Sequence, residues 1–154
     1  NMPITNNNLF SNTYVSKNCS RHQAEFLNSI SVDMLQAGLS VKVFYKNGGV
    51  TSSTPISDFK PLTTYTFHEA GYQTISFKSL KLPNNQPFTV AVQVINMNEF
   101  KNFILPFQAE SAPNSGIYPT LTSQNSWINL NQEWEPFSQK DGINLFLDAQ
   151  TTLK

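Results

Sequence analysis

Residues 71–95 alternate. The runs Gly71–Phe77 and Pro87–Ile95 switch between apolar and polar side chains, and Pro83, Asn84 and Asn85 mark a turn between them. In a pleated strand successive side chains point to opposite faces. Phe88, Val90, Val92 and Val94 therefore share one face, and Thr89, Ala91 and Gln93 share the other. The same period runs through Glu25–Met34, where Phe26, Ile30, Val32 and Met34 are evenly spaced and Asn28 interrupts the apolar side. It returns in Leu39–Tyr45, where Val41, Val43 and Tyr45 alternate with Lys42 and Phe44. Asn47-Gly48-Gly49 then supplies a turn signal.

Shorter strands are expected at Thr13–Val15, Thr64–His68, Phe103–Phe107, Gly116–Pro119, Trp127–Leu130 and Ile143–Ala149. Pro106 cannot donate to a ladder, so Phe103–Phe107 is expected at a sheet edge. Residues 50–63 are rich in Ser, Thr and Pro and read as a loop with room for a short edge strand. No window carries a sustained helical period; Gln124–Phe137 is the one place where a short helical turn is expected. Residues 1–8 read as a disordered lead-in and residues 9–154 as a single domain. Many short strands separated by turn signals predict an all-β, antiparallel, two-sheet sandwich of jelly-roll-like character.

Composition narrows the function. Lys plus Arg and Asp plus Glu number 10 each, and charged residues make up 13% of the chain, roughly half of the usual share of about 25%. Uncharged polar side chains, including 18 Asn, take their place. Such a surface lacks the electrostatic footprint of nucleic-acid binding and of attachment to anionic lipid. It suits neutral partners such as glycans. Cys19 is the single cysteine, so no disulfide can form within the chain. No apolar run is long enough to span a bilayer. The start, Asn1-Met2-Pro3-Ile4-Thr5, is polar, so any export signal is expected to lie outside these residues.

Catalytic patterns are sparse. Zinc needs three or four His, Cys or carboxylate ligands, and the sequence offers His22, His68 and Cys19 with neither Cys-x-x-Cys nor His-Glu-x-x-His. Cys19 lacks a helix N-terminus to lower its thiol pKa, which disfavours a nucleophile paired with His68. His68-Glu69 reads as a solvated turn, and Asn18-Cys19-Ser20 fits the N-glycosylation pattern. No Gly-x-Ser-x-Gly or phosphate loop is present. Glu133 and Glu135 flank Trp134, with Asp141 six residues further on, and two carboxylates beside a groove are what glycoside hydrolysis needs. In an extended segment both glutamates point one way and the indole the other, an acidic rim beside an aromatic platform; the plainer reading is a charged loop with one anchoring Trp. Asp33, Asp58, Asp141 and Asp148 stand apart, so calcium is compatible with the sequence only as a site assembled across loops; no other cofactor is expected. Most aromatics belong in the core. Trp134, Trp127 and Tyr118, in or beside loops, are the candidate ligand-stacking residues, with Glu133 and Glu135 beside them. No catalytic residue is assigned.

The order of the pieces resembles the lectin-like β-sandwich domain that accompanies papain-like cysteine peptidases in bacterial and archaeal surface proteins. Phe10–Tyr14 resembles its opening strand. Phe26–Met34 and Leu39–Tyr45 resemble its paired strands, and Gly71–Ile75 with Phe88–Val92 its central hairpin. Ile104-Leu105-Pro106-Phe107 with Glu110 is similar to its isoleucine-proline-valine-glutamate segment, carrying one extra residue or a bulge. Ser115-Gly116-Ile117-Tyr118 is similar to a glycine-x-serine-tyrosine element with the serine displaced. Ser126–Leu130 resembles its tryptophan strand and Asn144–Ala149 its closing strand. The resemblance spans nearly the whole chain, and the order of the pieces is what makes it specific.

It implies display outside the cell or at its surface, binding to a glycan or a surface protein, and a peptidase domain elsewhere in the same parent chain. The peptidase's Gln…Cys-Trp segment is absent, so catalysis is expected outside these residues. Two other readings are a structural spacer without a ligand and, less favoured, a glycan-processing enzyme. Neither nucleic acid nor a membrane span is expected, and the sequence leaves the oligomeric state open.

Overall fold

In the computed structural model the described residues are 2–3, 9–34, 37–96, 104–105, 107–109, 126–130, 133–136, 143–145 and 147–154. The strands are β1 (Met2–Pro3), β2 (Leu9–Val15), β3 (Glu25–Met34), β4 (Ser40–Asn47), β5 (Lys60–Thr66), β6 (Gly71–Lys81), β7 (Pro87–Val94), β8 (Ile104–Leu105), β9 (Phe107–Ala109), β10 (Ser126–Leu130), β11 (Glu133–Pro136), β12 (Ile143–Leu145) and β13 (Leu147–Leu153). A large sheet of six strands runs β11-β10-β2-β7-β4-β5, and a small sheet of three runs β13-β3-β6. Two further ribbons pair β1 with β8 and β12 with β9. Every pairing is antiparallel. The chain is an all-β, two-sheet sandwich.

The alternation seen in the sequence sets which side chains meet. Phe10, Val41, Val43, Tyr45, Phe88, Val90, Val92, Val94 and Ile128 of the large sheet share one buried cluster with Leu27, Ile30, Val32 and Ile75 of the small sheet. Each fully buried aliphatic side chain contributes about 1.5–3 kcal/mol relative to exposure. Phe88 anchors the large sheet's side of this layer, stacking on Tyr14 at 5.4 Å and on Tyr45 at 6.1 Å between ring centroids. Burial raises the pKa of the Tyr45 phenol, whose hydroxyl donates to Asn47 Oδ1.

Strand pairing departs from two expectations. Gly71–Ile75 and Phe88–Val92 are not a hairpin: β6 pairs with β3, whereas β7 lies between β2 and β4. Phe26–Met34 and Leu39–Tyr45 likewise fall in opposite sheets. The alternation fixes a strand's buried face, and that face is equally satisfied by a hairpin or by two strands packed across the core. The connections decide, and here they cross. Residues 16–24 and 82–86 cross at one end of the sandwich, and 37–39 and 67–70 at the other.

Backbone bonds tie the crossings together. Ser16 N donates to Gln86 O at 2.9 Å, Asn85 N to Lys17 O at 3.0 Å and Leu82 N to Glu25 O at 2.9 Å. At the opposite end Gly38 N donates to Phe67 O at 2.6 Å and Phe67 N to Leu39 O at 2.8 Å. Gly38, at φ 89°, and Asn85, at φ 50°, take the left-handed conformation that Gly tolerates without a Cβ clash and Asn more readily than most residues.

Element boundaries differ from the sequence reading in three places. The Ser/Thr/Pro-rich stretch is a loop only to Phe59; Lys60–Thr66 is the expected edge strand, longer than foreseen, and Phe67 and His68 lie in the crossing that follows. Residues 126–130 and 133–136 form an antiparallel pair, where a helical turn was expected within Gln124–Phe137. In the lead-in, Met2–Pro3 pairs with Ile104–Leu105. The expected strand at Gly116–Pro119 lies outside the described residues.

The edges of β5 and β6 lie close together. Tyr65 OH on β5 donates to Gln73 Oε1 on β6 at 3.3 Å, and Lys60, Pro61, Leu62, Lys78, Ser79 and Leu80 line a shallow groove between the two strands.

Ile30 is fully buried at the centre of the small sheet. Ile30→Ala is expected to lower the unfolding free energy by about 2–5 kcal/mol, read from the midpoint of a urea titration. A loss below about 0.5 kcal/mol, the scale of ordinary surface substitutions, contradicts this packing.

Candidate functional site

The sandwich has two outer faces, and they differ in chemistry. On the large sheet, Leu9, Phe44 and Ala91 point outward and form a second apolar cluster with Val50, Phe59 and Trp134, flanked by half-buried Ile56 and Trp127. The loop between β4 and β5 carries Val50, Ile56 and Phe59 over the sheet. Trp134 stacks on Phe59 with 5.3 Å between ring centroids.

Trp134, which the sequence offers either as a ligand platform or as an anchor, is 1% exposed. Its alternation with Glu133 and Glu135 is as expected, since both glutamates are exposed. The face receiving the indole, however, is covered by the β4–β5 loop and is closed to solvent. Trp127 is half-buried at the margin of the same cluster. Tyr118 lies outside the described residues. Trp127, Trp134 and the glutamates are thus neighbours on the β10–β11 pair, with both indoles turned toward the protein.

This hairpin also buries polar atoms. Asn129 sits directly opposite Trp134 in the register. Both ends of the Asn129 amide and the Trp134 indole Nε1 lack a hydrogen-bond partner among the described residues. Each such group forgoes its bonds to water, a cost of about 1–3 kcal/mol.

The outer face of the small sheet is polar. The register places Tyr72 opposite Asp33, Thr74 opposite Ser31 and Ser76 opposite Ser29. On the other flank Gln150 faces Ser29. These residues alternate with Ile30, Val32 and Ile75, which face the core. Ser29 Oγ donates to Gln150 Oε1 at 2.6 Å. Gln150 Nε2 donates to Ser31 Oγ. Ser31 and Thr74 share a 2.8 Å hydroxyl contact. Either hydroxyl can donate in that contact, and Thr74 is the exposed end of the chain of bonds.

A second chain of bonds runs beside the first. Ser79 Oγ donates to Asn28 Oδ1 at 2.7 Å and Asn28 Nδ2 to Thr152 Oγ1 at 3.0 Å. Its outward end is the exposed Thr152 hydroxyl. Tyr72, 48% exposed, stands at the margin of this lattice as its aromatic surface. Burial raises the pKa of the Asp33 carboxyl opposite it.

The sequence reading did not single out Tyr72, Thr74 and Gln150, and named Asp33 only among isolated aspartates; all four belong to this polar face. For three of them the signal was present: Tyr72 and Thr74 occupy the polar phase of the Gly71–Phe77 run, and Asp33 that of Glu25–Met34. The remaining candidates are scattered. His22, His68 and Glu69 are exposed in turns, and Cys19 is half-buried in the crossing at 16–24. Among the described residues no three His, Cys, Asp or Glu side chains converge to hold a metal ion. Among the described residues no helix is long and apolar enough to cross a membrane.

A family model described as the lectin-like domain matches residues 2–151. The chain belongs to that lectin-like domain family. No curated protein matches it. Among solved structures, it resembles a cysteine-to-alanine form of the clostridial cysteine protease Cwp84 after propeptide cleavage, with a TM-score of 0.70 and 20% identity over 98% of this chain and 37% of that one. It also resembles a structure of the cysteine protease and lectin-like domains of Cwp84, described as a surface-layer associated protein of Clostridium difficile. There the TM-score is 0.68 and the identity 20%, over 94% of this chain and 32% of that one. At this identity the likeness shows a shared fold. The chain spans about a third of the length of these proteins.

Two predictions follow from these contacts. Asn129→Leu removes the unpartnered amide and is expected to leave stability unchanged or raise it. Asn12→Leu, at a buried amide that accepts from Ser126 Oγ at 2.6 Å, is expected to cost about 1–3 kcal/mol. Equal losses in urea titrations of the two variants contradict the assignment. The second concerns Asp33. Because its folded-state pKa is raised, the folded protein holds the proton more tightly than the unfolded chain, so ionisation weakens the fold as pH rises. Asp33→Asn is therefore expected to raise the thermal midpoint at pH 7. The gain should vanish once pH falls below the ordinary carboxyl value of 3.8. A pH-independent difference contradicts it.

Proposed function

We propose that the chain is a non-catalytic recognition module, displayed outside the cell, that binds a glycan through the outer face of the small sheet. The observation that carries this reading is the juxtaposition of the exposed Tyr72 ring with a lattice of hydroxyls and amides whose outward ends are the exposed hydroxyls of Thr74 and Thr152. A pyranose presents an apolar C–H face and a rim of hydroxyls. The ring supplies a flat apolar partner for the first, and the lattice supplies matched partners for the second. The internal bonds hold Ser29, Ser31, Gln150 and Thr74 in place before ligand arrives, which lowers the ordering cost of binding.

The parent protein is proposed to carry a cysteine peptidase domain beside this module, as Cwp84 does, with the glycan directing the peptidase to a surface. The low overall charge favours a partner that does not depend on long-range electrostatics. The spacer reading calls for an apolar outer face on which another domain packs. The small sheet offers a polar one, and the large sheet's apolar patch is covered by its own loop.

Glycan-array screening followed by calorimetric titration tests the proposal. Binding of a neutral oligosaccharide is expected to weaken about ten-fold or more in Tyr72→Ala, equivalent to about 1.4 kcal/mol, with an unchanged thermal midpoint. Retention of full affinity in Tyr72→Ala, or no glycan bound by the native chain, overturns it.

A further inference from the structure

We propose that the end of the sandwich where residues 16–24 and 82–86 cross carries a second binding site, for an acidic saccharide bearing a carboxylate or phosphate group. A cleft of about 370 Å³ opens there, lined by Cys19, Arg21, Gln23, Glu25, Lys81 and Asn84 among others. That volume lies at the lower end of the roughly 300–1,000 Å³ typical of small-ligand sites and fits a terminal sugar better than a long chain.

Three observations give the cleft its chemistry. First, its walls are built. Cys19 N donates to Asn84 Oδ1 at 2.6 Å and Asn84 Nδ2 to Asn18 Oδ1 at 3.2 Å. The turn that presents Arg21 closes through Gln23 N to Ser20 O at 3.0 Å. Second, the one acid in the lining is turned inward. Glu25 is 6% exposed; Oε1 accepts from Lys17 N at 2.7 Å and Oε2 from Thr151 Oγ1 at 2.6 Å. Third, the charge that reaches solvent is positive. Arg21 and Lys81 are exposed in the lining. Lys17 is exposed on the adjoining loop, and Lys154 Nζ stands 5.4 Å from the ring of Phe26, which lies opposite Lys81. In a chain with 10 residues of each sign, this end concentrates cations.

A guanidinium pairs with a carboxylate or phosphate through paired hydrogen bonds, and an ammonium adds a point charge. Ser20 Oγ donates to Gln23 Oε1 at 3.3 Å, and the exposed Gln23 amide nitrogen is suited to donate to the sugar's hydroxyls. This site extends the recognition role to a second place and does not depend on Tyr72.

The test is titration of the isotope-labelled chain, followed by backbone amide shifts, with three probes: trigalacturonate, mannose 6-phosphate and neutral maltotriose. The acidic probes are expected to move amides of residues 19–25 and 81–84. Their affinity should fall about ten-fold or more in Arg21→Gln/Lys81→Gln, on the scale of losing one charge-assisted hydrogen bond. Lys42→Gln/Lys60→Gln, which removes equal charge elsewhere, and Tyr72→Ala should both leave it intact. Preference for trigalacturonate identifies the group as carboxylate, and preference for mannose 6-phosphate as phosphate. Equal response to maltotriose, equal loss in the control pair, or no response to either acidic probe overturns the proposal. Loss of neutral-glycan binding in Tyr72→Ala with the acidic response intact separates the fate of this site from that of the small-sheet face.

Discussion

The connections that carry the chain from one sheet to the other are the constraint on which the sandwich depends. From β2 to β7 the chain crosses the core repeatedly, with only the β4–β5 loop staying within one sheet. Each crossing exposes polar backbone at the end of an apolar layer, and backbone groups left unpaired there lose their bonds to water without compensation. The molecule solves this by pairing crossing with crossing. Ser16 shows how tightly: its hydroxyl donates to Pro83 O and accepts from Gln86 N, the latter at 2.9 Å, although the side chain is only 3% exposed. The valine-rich interior keeps its register because its ends are clamped, and the cleft at one end is a by-product of the same clamp.

The unequal treatment of the two outer faces is the second organising feature. The large sheet presents Leu9, Phe44 and Ala91 outward and must cover them, so the β4–β5 loop and Trp134 are spent on packing. The small sheet has Ser29, Ser31, Thr74 and Gln150 in the equivalent outward phase, and these satisfy one another by hydrogen bonds. The small sheet therefore needs no cover and keeps a polar outer face. An aromatic residue near a charged loop is an ambiguous signal, and here the indole of Trp134 stabilises the scaffold while a strand tyrosine remains open to solvent.

Much of this was legible in the sequence. Period-two alternation identified the strands of the core and the faces of Val90, Val92 and Val94, because burial of one face is a local property of a strand. Glu25–Met34 is bounded as the pattern indicated. Partnership between strands was not legible: β6 and β7 read as a hairpin around Pro83–Asn85, yet those residues form a crossing between sheets. Nothing in the local pattern separates the two, since either arrangement buries the same side chains. Whether Trp134 anchors the fold or faces a ligand was left open for a related reason. The answer requires knowing that Val50, Ile56 and Phe59, far away in sequence, fold over the same sheet. Tyr72 was legible in phase and overlooked because its strand was read for its core side alone.

The adjoining rims of β5 and β6 have a consequence for colloidal behaviour. An unpaired strand margin offers its amides and carbonyls to any other extended chain and is a route to fibrils. Here the β5 margin holds Lys60 and Pro61, and β6 holds Lys78 and Lys81. Docking margin to margin would press ammonium groups of one copy toward those of the next, and Pro61 lacks the proton such a ladder requires. Many copies crowded together can therefore remain separate particles in spite of long, exposed strands.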